Sequence, residues 1–197
     1  MKKNIAFFDF DGTITTHDTM LELARFTSGN LRYLLGMTKL SPWLVAMKIS
    51  MVSKKTAKEK LLSYFFGGMS IQEFDENCRL FSMQRLPSLL KKEAMAAIEG
   101  HMAAQTPVVV VSASAENWVA PWCRQNKLQC IASRLELKNE KITGKLAGKN
   151  CNGIEKVSRI KEFFNLADFS NVYCYGDTSG DTEMLAIATY PFYRCYQ

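Results

Sequence analysis

Short apolar runs and longer amphipathic stretches alternate in two parts of the chain. Asn4 to Asp9 reads as a short, fully buried strand, and apolar runs at 108–111, 129–133 and 172–175 also have strand length. Strands that alternate with helices predict an α/β fold, in which a Rossmann-like and mainly parallel sheet is flanked by helices. The other predicted elements are helices at about 115–127, 154–166 and 181–188, a hairpin over 135–146 that turns near Asn139-Glu140, and an edge strand over 192–195.

The segment between the first two strands has helical patterns and no strand pattern. We therefore predict a helical cap domain of residues 18–105, inserted into a discontinuous core of residues 1–17 and 106–197. The first predicted helix starts at Asp18 or Thr19 and ends near Gly29-Asn30, and the apolar and basic stretch after it is interrupted at Ser41-Pro42. A second helix runs from Ser53 to Gly67-Gly68, and a third opens at a capping box of Ser70 to Glu73. A fourth spans about Ser88 to Ala104.

Polar side chains follow the predicted strands or begin the helices after them. Ligands of open parallel sheets bind at the carboxyl ends of the strands, so we expect these side chains to meet at one edge. They are Asp9, Asp11, Ser112, Lys156, Asp177 and Asp181.

Two carboxylates at the end of a buried strand need a compensating charge. Asp9 and Asp177 offer the hard oxygen ligands that Mg²⁺ prefers, while Lys156 and the Ser112 hydroxyl suit phosphate oxygens. One carboxylate is then free to attack phosphorus, and Asp11 is placed to protonate the leaving oxygen and later to activate water. Structural interpretations are the alternative: a turn at Asp9 and Asp11, a helix cap at Ser112, a solvated charge at Lys156, and a first-turn acid favoured by the helix dipole at Asp181.

Four motifs resemble those of the haloacid dehalogenase-like hydrolase superfamily, in the right order. Asp9-Phe-Asp11-Gly-Thr13 resembles the first motif, and Val108-Val-Val-Val-Ser112 the second. Lys156 fits the third, and Gly176-Asp177-Thr-Ser-Gly-Asp181 the fourth. The resemblance covers the whole chain, and its first and fourth motifs are the most specific.

The resemblance implies a role for each of these residues. Asp9 would be the nucleophile, forming an aspartyl-phosphate, and Asp11 the general acid and base. Ser112 and Lys156 would hold the phosphoryl group, under a helical cap of the phosphoserine phosphatase-like type. The implied Mg²⁺ ligands are Asp9, Asp11 through its backbone carbonyl, Asp177, and Asp181 directly or through a water.

Charge is concentrated in one part of the cap. The net charge is +6 with a sequence pI of about 9.0, and residues 31–60 hold seven basic residues against Glu59 alone. These residues also contain apolar runs, which are typical either of packed helices with lysines facing water or of a basic amphipathic surface on an anionic membrane. The basic stretch lacks aromatic residues at base-stacking spacing, so we expect no nucleic-acid partner.

Six cysteines without CxxC pairs, two histidines and no visible signal peptide favour a reduced cytoplasmic location, with peripheral contact at the inner membrane surface as the membrane hypothesis.

The predicted function is a Mg²⁺-dependent phosphatase acting on a phosphomonoester. Phosphoserine phosphatases hold their amino acid with an acidic residue, which Asp18 roughly matches, and a cap arginine, which residues 60–66 lack. The leading substrate is therefore a phosphorylated lipid head group such as phosphatidylglycerophosphate, following the resemblance to phosphatidylglycerophosphate phosphatases. The alternatives are a small soluble phosphomonoester, phosphotransfer to another acceptor, or a phosphoryl-sensing module without catalysis.

Overall fold

The computed structural model describes residues 3–196, which contain a five-stranded parallel sheet and a separate hairpin. The strands are β1 (Lys3–Phe8), β2 (Val108–Ala115), β3 (Gln129–Ser133), the hairpin pair β4 (Leu135–Lys138) and β5 (Lys141–Leu146), β6 (Phe169–Gly176) and β7 (Tyr190–Tyr193). Across the parallel sheet the order is β3-β2-β1-β6-β7, so β1 is central. The predicted α/β fold class is confirmed.

The central strands are apolar on both faces because helices cover both faces of the sheet. Along β1, Phe8 packs in one core cluster and Phe7 in another. The helices are α1 (Thr19–Lys48), α2 (Lys54–Phe66), α3 (Ile71–Gln84), α4 (Lys92–Ala103), α5 (Glu116–Gln125), α6 (Ile154–Phe163) and α7 (Thr182–Ala186). Residues of α4 and α5 share the Phe8 cluster, and residues of α6 and α7 share the Phe7 cluster.

Side chains at the predicted positions cap the first three helices. Asp18, Ser53 and Ser70 each accept a hydrogen bond from the backbone N–H three residues later, which satisfies one of the free donors of the first turn. Three of the helix starts that were read from the sequence are therefore confirmed.

Helix α1 continues beyond its predicted end. Gly29 has φ 75°, which breaks the helical geometry, yet helical hydrogen bonding resumes and extends to Lys48. Pro42 also lies inside this helix. Proline cannot donate to the carbonyl four residues back, but the Ser41 hydroxyl donates to that carbonyl, on Thr38, at 2.8 Å. The predicted helix end at Gly29-Asn30 and the predicted interruption at Ser41-Pro42 thus both lie within one longer helical segment.

Helix α4 begins later than predicted because the chain before it pairs with another segment. Leu90 forms an antiparallel bridge with Thr15, and the Lys91 N–H donates to the Ile14 carbonyl at 2.8 Å. The two connections between the sheet and the inserted helices therefore run side by side. Pro87 and Ser88 form a short 3-10 turn ahead of this pairing.

Helix α4 packs on the sheet, whereas the hairpin packs on α2. The His101 ring lies 4.8 Å from the Tyr173 ring, and His101 Nε2 lies 2.9 Å from the Tyr175 hydroxyl. In the hairpin, the Ile142 N–H donates to the Met69 carbonyl at 2.9 Å, directly after α2. The division of the chain into a core and a cap of residues 18–105 stays a prediction, and the packing of α4 favours a boundary before residue 92.

The second half of α1 and the turn after it carry an exposed apolar surface. Within residues 3–196, no helix combines the length and apolar character that crossing a bilayer requires. The large apolar side chains exposed between residues 31 and 51 are Leu31, Leu34, Leu35, Trp43, Val45, Ile49 and Met51. We call this set the α1 surface.

Candidate active site

Three carboxylates converge at the carboxyl edge of the sheet. Asp9 directly follows β1, and its N–H donates to the Tyr175 carbonyl of β6 at 2.9 Å, so the register of the two strands extends to the site. Asp177 directly follows β6. One oxygen from each of Asp9, Asp177 and Asp181 lies within 4.8 Å of the others. This spacing and these oxygen donors suit a divalent cation.

Lys156 reaches this cluster from the first turn of α6. Its ammonium donates to Asp9 Oδ1 at 2.5 Å and to Asp181 Oδ1 at 2.6 Å, and its side chain is 1% exposed. The structure thus places four predicted site residues in one group, although the sequence separates Asp9 from Lys156 by 147 positions.

One ammonium faces three carboxylates, so negative charge is in excess. Burial raises the pKa of Asp9 to about 7 and outweighs the opposing attraction of Lys156. Burial also raises the pKa of Asp177 above its usual value. For Lys156, burial acts against the charge, but Asp9 and Asp181 outweigh it and raise the pKa of the ammonium. A further positive charge would therefore stabilise the site.

The loop after β6 is held by Asp181. Its Oδ2 accepts hydrogen bonds from the N–H groups of Asp177 and Thr178 and from the Thr178 hydroxyl, at 3.0 to 3.2 Å. The Thr178 hydroxyl also accepts a hydrogen bond from the Gly180 N–H. A Cβ at Gly176 would lie 2.5 Å from the Cβ of Asp181, so only glycine fits there. The spacing of the fourth motif thus follows from the geometry of this turn.

Gly12 and Thr13 fix the position of Asp177. Gly12 has φ +85°, and a Cβ there would lie 2.3 Å from Asp177 Oδ2. The Thr13 hydroxyl donates to Asp177 Oδ1 at 3.1 Å. The first and fourth motifs therefore contact each other directly, and glycine at position 12 is a steric requirement.

The Asp11 carboxylate is bound by residues outside the three-carboxylate cluster. Its Oδ1 accepts from the backbone N–H and the hydroxyl of Thr19, both at 2.6 Å, and its Oδ2 accepts from the Ser114 hydroxyl at 2.5 Å. Ser112 is buried within β2, and its hydroxyl accepts from the Ser114 N–H at 2.9 Å. The predicted roles of Ser112 and Asp11 remain predictions, and the structure adds Thr19 and Ser114 to the site.

A cavity of about 340 Å³ extends from the carboxylates to the inserted helices. Asp9, Asp11 and Lys156 line one end, and Asp18 lies on its wall. The inserted helices contribute the lysines Lys54 and Lys58 and a set of apolar side chains: Met20, Leu21, Met37, Leu44, Met47, Ala57 and Leu61. The lining of the cavity therefore combines charged groups of the sheet edge with apolar side chains of the inserted helices.

Lys58 was not among the predicted site residues. Its ammonium donates to the Ala113 carbonyl at 2.5 Å, between Ser112 and Ser114, and so ties α2 to the second motif. Burial lowers the pKa of Lys58, against the attraction of Asp11 and nearby carboxylates. In the sequence it is one of five lysines between residues 48 and 60, so its local pattern gives no sign of this position.

Comparison with known proteins gives the family. Residues 6–186 match a family model described as haloacid dehalogenase-like hydrolase. Protein CicA of Caulobacter vibrioides is 35% identical over 192 residues, which cover 96% of this chain and 85% of CicA. The chain therefore belongs to the haloacid dehalogenase-like hydrolase family, as the four motifs indicated.

Solved structures share the fold at lower sequence identity. A protein of unknown function from Bordetella pertussis Tohama I superposes with a TM-score of 0.82 at 23% identity, covering 96% of this chain and 88% of that one. A substrate-bound phosphoserine phosphatase complex superposes with a TM-score of 0.64 at 22% identity, covering 95% and 84%. At this identity the likeness establishes the architecture of the sheet and its helices.

Proposed function

We propose that the protein is a Mg²⁺-dependent phosphomonoester hydrolase that acts through an aspartyl-phosphate. The observation that carries the proposal is the buried group of Asp9, Lys156, Asp177 and Asp181 at the carboxyl edge of the sheet. The family is one of hydrolases, and the excess negative charge of this group matches a site that holds a cation beside a phosphate.

The proposed reaction has two steps. An oxygen of Asp9 attacks phosphorus, the bond to the leaving oxygen breaks, and Asp11 gives that oxygen a proton. Water then attacks the aspartyl-phosphate while Asp11 takes a proton from it, which frees phosphate and restores Asp9. Lys156 and the Ser112 hydroxyl hold the phosphoryl oxygens and offset their charge in both steps.

The residues present fit a magnesium ion. Asp9 and Asp177 would hold it through carboxylate oxygens, Asp181 directly or through a water, and Asp11 through its backbone carbonyl. When bound, Mg²⁺ supplies positive charge against the phosphoryl oxygens and the carboxylates. The raised pKa of Asp9, caused by its burial beside other carboxylates, is consistent with a site completed by a cation.

The cavity favours an amphiphilic substrate. A phosphomonoester at Asp9 would place the rest of the molecule between α1 and α2, where the wall is formed by Met37, Leu44 and Met47. Methionine-rich apolar walls adapt to flexible chains. We therefore propose a phosphorylated lipid head group, such as phosphatidylglycerophosphate, as the substrate. The alternative is a small soluble phosphomonoester such as phosphoserine, which Asp18 on the cavity wall would favour.

The α1 surface gives such a substrate a route from a membrane. Its exposed apolar side chains lie in a segment of strong positive charge, the combination that binds anionic bilayers. The same helix contributes Met37, Leu44 and Met47 to the cavity wall. We propose that this surface rests on an anionic membrane and that the cavity opens toward it.

Phosphate release from a substrate panel tests the activity. The panel contains phosphatidylglycerophosphate in micelles, phosphoserine, sugar phosphates and p-nitrophenyl phosphate, each with Mg²⁺ or with EDTA. We expect release that EDTA abolishes and that is lost in Asp9→Asn but kept in Asp168→Asn, the same change at an exposed position outside the site. Phosphate transferred to an added alcohol instead of water would favour the phosphotransferase, and no turnover by the folded, Mg²⁺-loaded protein would favour the sensing module.

Sedimentation with vesicles tests the membrane contact separately. We expect binding to phosphatidylglycerol-containing vesicles at low salt, weaker binding to phosphatidylcholine, and loss of binding as salt screens the charges. Leu34→Glu and Leu35→Glu should reduce binding, whereas Leu137→Glu, on the exposed face of the hairpin, should not. Equal binding by all three variants would exclude the α1 surface as the membrane contact.

A further inference from the structure

Asp11 is held by three hydrogen-bond donors from two different parts of the chain. Thr19, the first residue of α1, gives its N–H and its hydroxyl to Oδ1, and Ser114 of β2 gives its hydroxyl to Oδ2. Both oxygens thus accept hydrogen bonds, and the plane of the carboxylate is fixed. Asp11 and Ser114 line the same cavity as Asp9, so the held carboxylate borders the space for the substrate.

An irregularity in β2 brings Ser114 to this position. The pairing of β2 with β3 runs regularly to Ser112, opposite Ala132, and resumes at Ala115, opposite Ser133. β2 therefore holds two more residues than its neighbour between these pairs. Such bulges re-aim side chains and are common beside active sites. The Ser114 N–H, freed from the ladder, donates to the Ser112 hydroxyl at 2.9 Å.

A buried tryptophan orients the Thr19 hydroxyl. Trp118 Nε1 donates to Thr19 Oγ1 at 3.0 Å, and both residues are fully buried. An indole N–H is a donor only, so Thr19 Oγ1 accepts there and directs its own proton to Asp11. Hydrogen bonds are therefore donated in one direction, from Trp118 to Thr19 and from Thr19 to Asp11, and Ser114 donates to the other oxygen of Asp11.

We propose that Ser114 is a positioning residue that holds Asp11 for proton transfer to the leaving oxygen, supported by Thr19 and Trp118. This inference rests on the proposed phosphatase function. In the first step Asp11 carries its proton on Oδ2, which accepts one hydrogen bond where Oδ1 accepts two. The bond from phosphorus to the leaving oxygen breaks as that proton moves to the leaving oxygen. An alkoxide leaving group needs that proton, whereas p-nitrophenolate is weakly basic and leaves without it.

The dependence on the leaving group tests the proposal. We would measure kcat/KM, which reports the first step, for a series from p-nitrophenyl phosphate through less acidic phenols to an alkyl phosphate. For Ser114→Ala we expect a loss of about 10- to 100-fold with the alkyl phosphate and less than about 3-fold with p-nitrophenyl phosphate, since general acids contribute roughly 100-fold or more. Ser158→Ala, at an exposed position on α6, should match the unmodified protein throughout.

A second pair of variants keeps the test independent of folding at position 114. Thr19→Val removes the hydroxyl and should show the same leaving-group dependence, while Thr19→Ser retains the hydroxyl and should restore the alkyl phosphate rate. An equal loss with every substrate, or no loss, in both Ser114→Ala and Thr19→Val would overturn the proposal. Asp11→Asn distinguishes the acid role of Asp11 from the positioning role of Ser114. If the loss of rate in Asp11→Asn does not depend on the leaving group, the acid role of Asp11 in the proposed function is wrong. If the loss depends on the leaving group in Asp11→Asn but not in Ser114→Ala or Thr19→Val, only the role of Ser114 is rejected.

Discussion

The ammonium of Lys156 lies 2.5 Å from Asp9 Oδ1 and is almost wholly buried. Removing one partner of such a buried pair leaves the other charge without compensation, which costs about 3 to 5 kcal/mol. Removing the Lys156 ammonium would leave the negative charge of three carboxylates, rather than one, without compensation. Lys156 is therefore a stabilising residue of the fold as well as a candidate ligand for phosphate.

Lys156→Met is expected to lower the free energy of unfolding by about 3 kcal/mol and to abolish phosphate release. Mg²⁺ should stabilise this variant more than the unmodified protein, because the carboxylates have lost their internal cation. Thermal and urea unfolding with and without Mg²⁺ measure both effects. Lys161→Met, an exposed lysine on the same helix, is the control, and equal stability of the two variants would contradict the prediction.

Gly12→Ala is expected to displace Asp177. The new Cβ would meet Asp177 Oδ2 at 2.3 Å, and φ +85° adds backbone strain of about 1 to 2 kcal/mol. Gly68→Ala is the matched control, because Gly68 has φ +86° and nothing within 4 Å of its Cβ position. Both variants should lose thermal stability, but only Gly12→Ala should lose phosphate release, by about 100-fold if Asp177 is misplaced. Similar activity in the two variants would show that the close contact is not needed.

Acidification is expected to destabilise the protein through His101. Burial lowers the pKa of His101 below its usual 6.5, so between the lowered value and 6.5 the unfolded chain binds more protons than the folded one. Stability contributed by the neutral ring is therefore complete above 6.5 and decreases as the pH falls below it. Melting temperatures between pH 7 and pH 5 should fall more for the unmodified protein than for His101→Phe, which keeps the ring contacts with Tyr173. Parallel curves would exclude this contribution.

Gly144→Ala is expected to loosen the hairpin from α2. A Cβ at Gly144 would lie 2.3 Å from the backbone of Ser63, whereas Gly148, also at positive φ, has nothing within 4 Å. Hydrogen exchange at the Ile142 and Gly68 amides, which bond across this contact, should accelerate in Gly144→Ala and remain unchanged in Gly148→Ala. Unchanged exchange in both variants would mean that the hairpin adapts to the added methyl group.

The sequence predicted the elements whose patterns are local. The β-branched run at 108–111 and the turn at Asn139-Glu140 depend on neighbouring residues, and the structure has both where they were expected. The end of α1 was predicted wrongly because helical hydrogen bonding resumes after the single residue Gly29 at positive φ, and because Ser41 satisfies the carbonyl that Pro42 leaves free. The start of α4 was missed because Leu90 pairs with Thr15, 75 positions away in the chain.

The candidate site divides in the same way. Asp9, Lys156, Asp177 and Asp181 lie at strand ends or first helical turns, which the order of elements already indicates. Ser114 depends on a bulge, and its neighbour in the site, Thr19, on the packing of Trp118. Lys58 depends on how α2 lies over β2. No spacing in the sequence predicts the contacts of Ser114, Thr19 or Lys58.

The hydrogen bonds between the hairpin and the end of α2 determine which segments must be exchanged together to transfer substrate preference between relatives. Met69 and Gly68, at the end of α2, share two backbone hydrogen bonds with Ile142 of β5, and Glu59 accepts from the Leu146 N–H. In a chimaera that received only residues 18–91 from a relative, the relative's α2 would pack against the hairpin of this chain, whose contacts fit its own α2. The transplantable unit therefore consists of two stretches, the inserted helices and residues 135–146, and a graft of substrate preference should carry both.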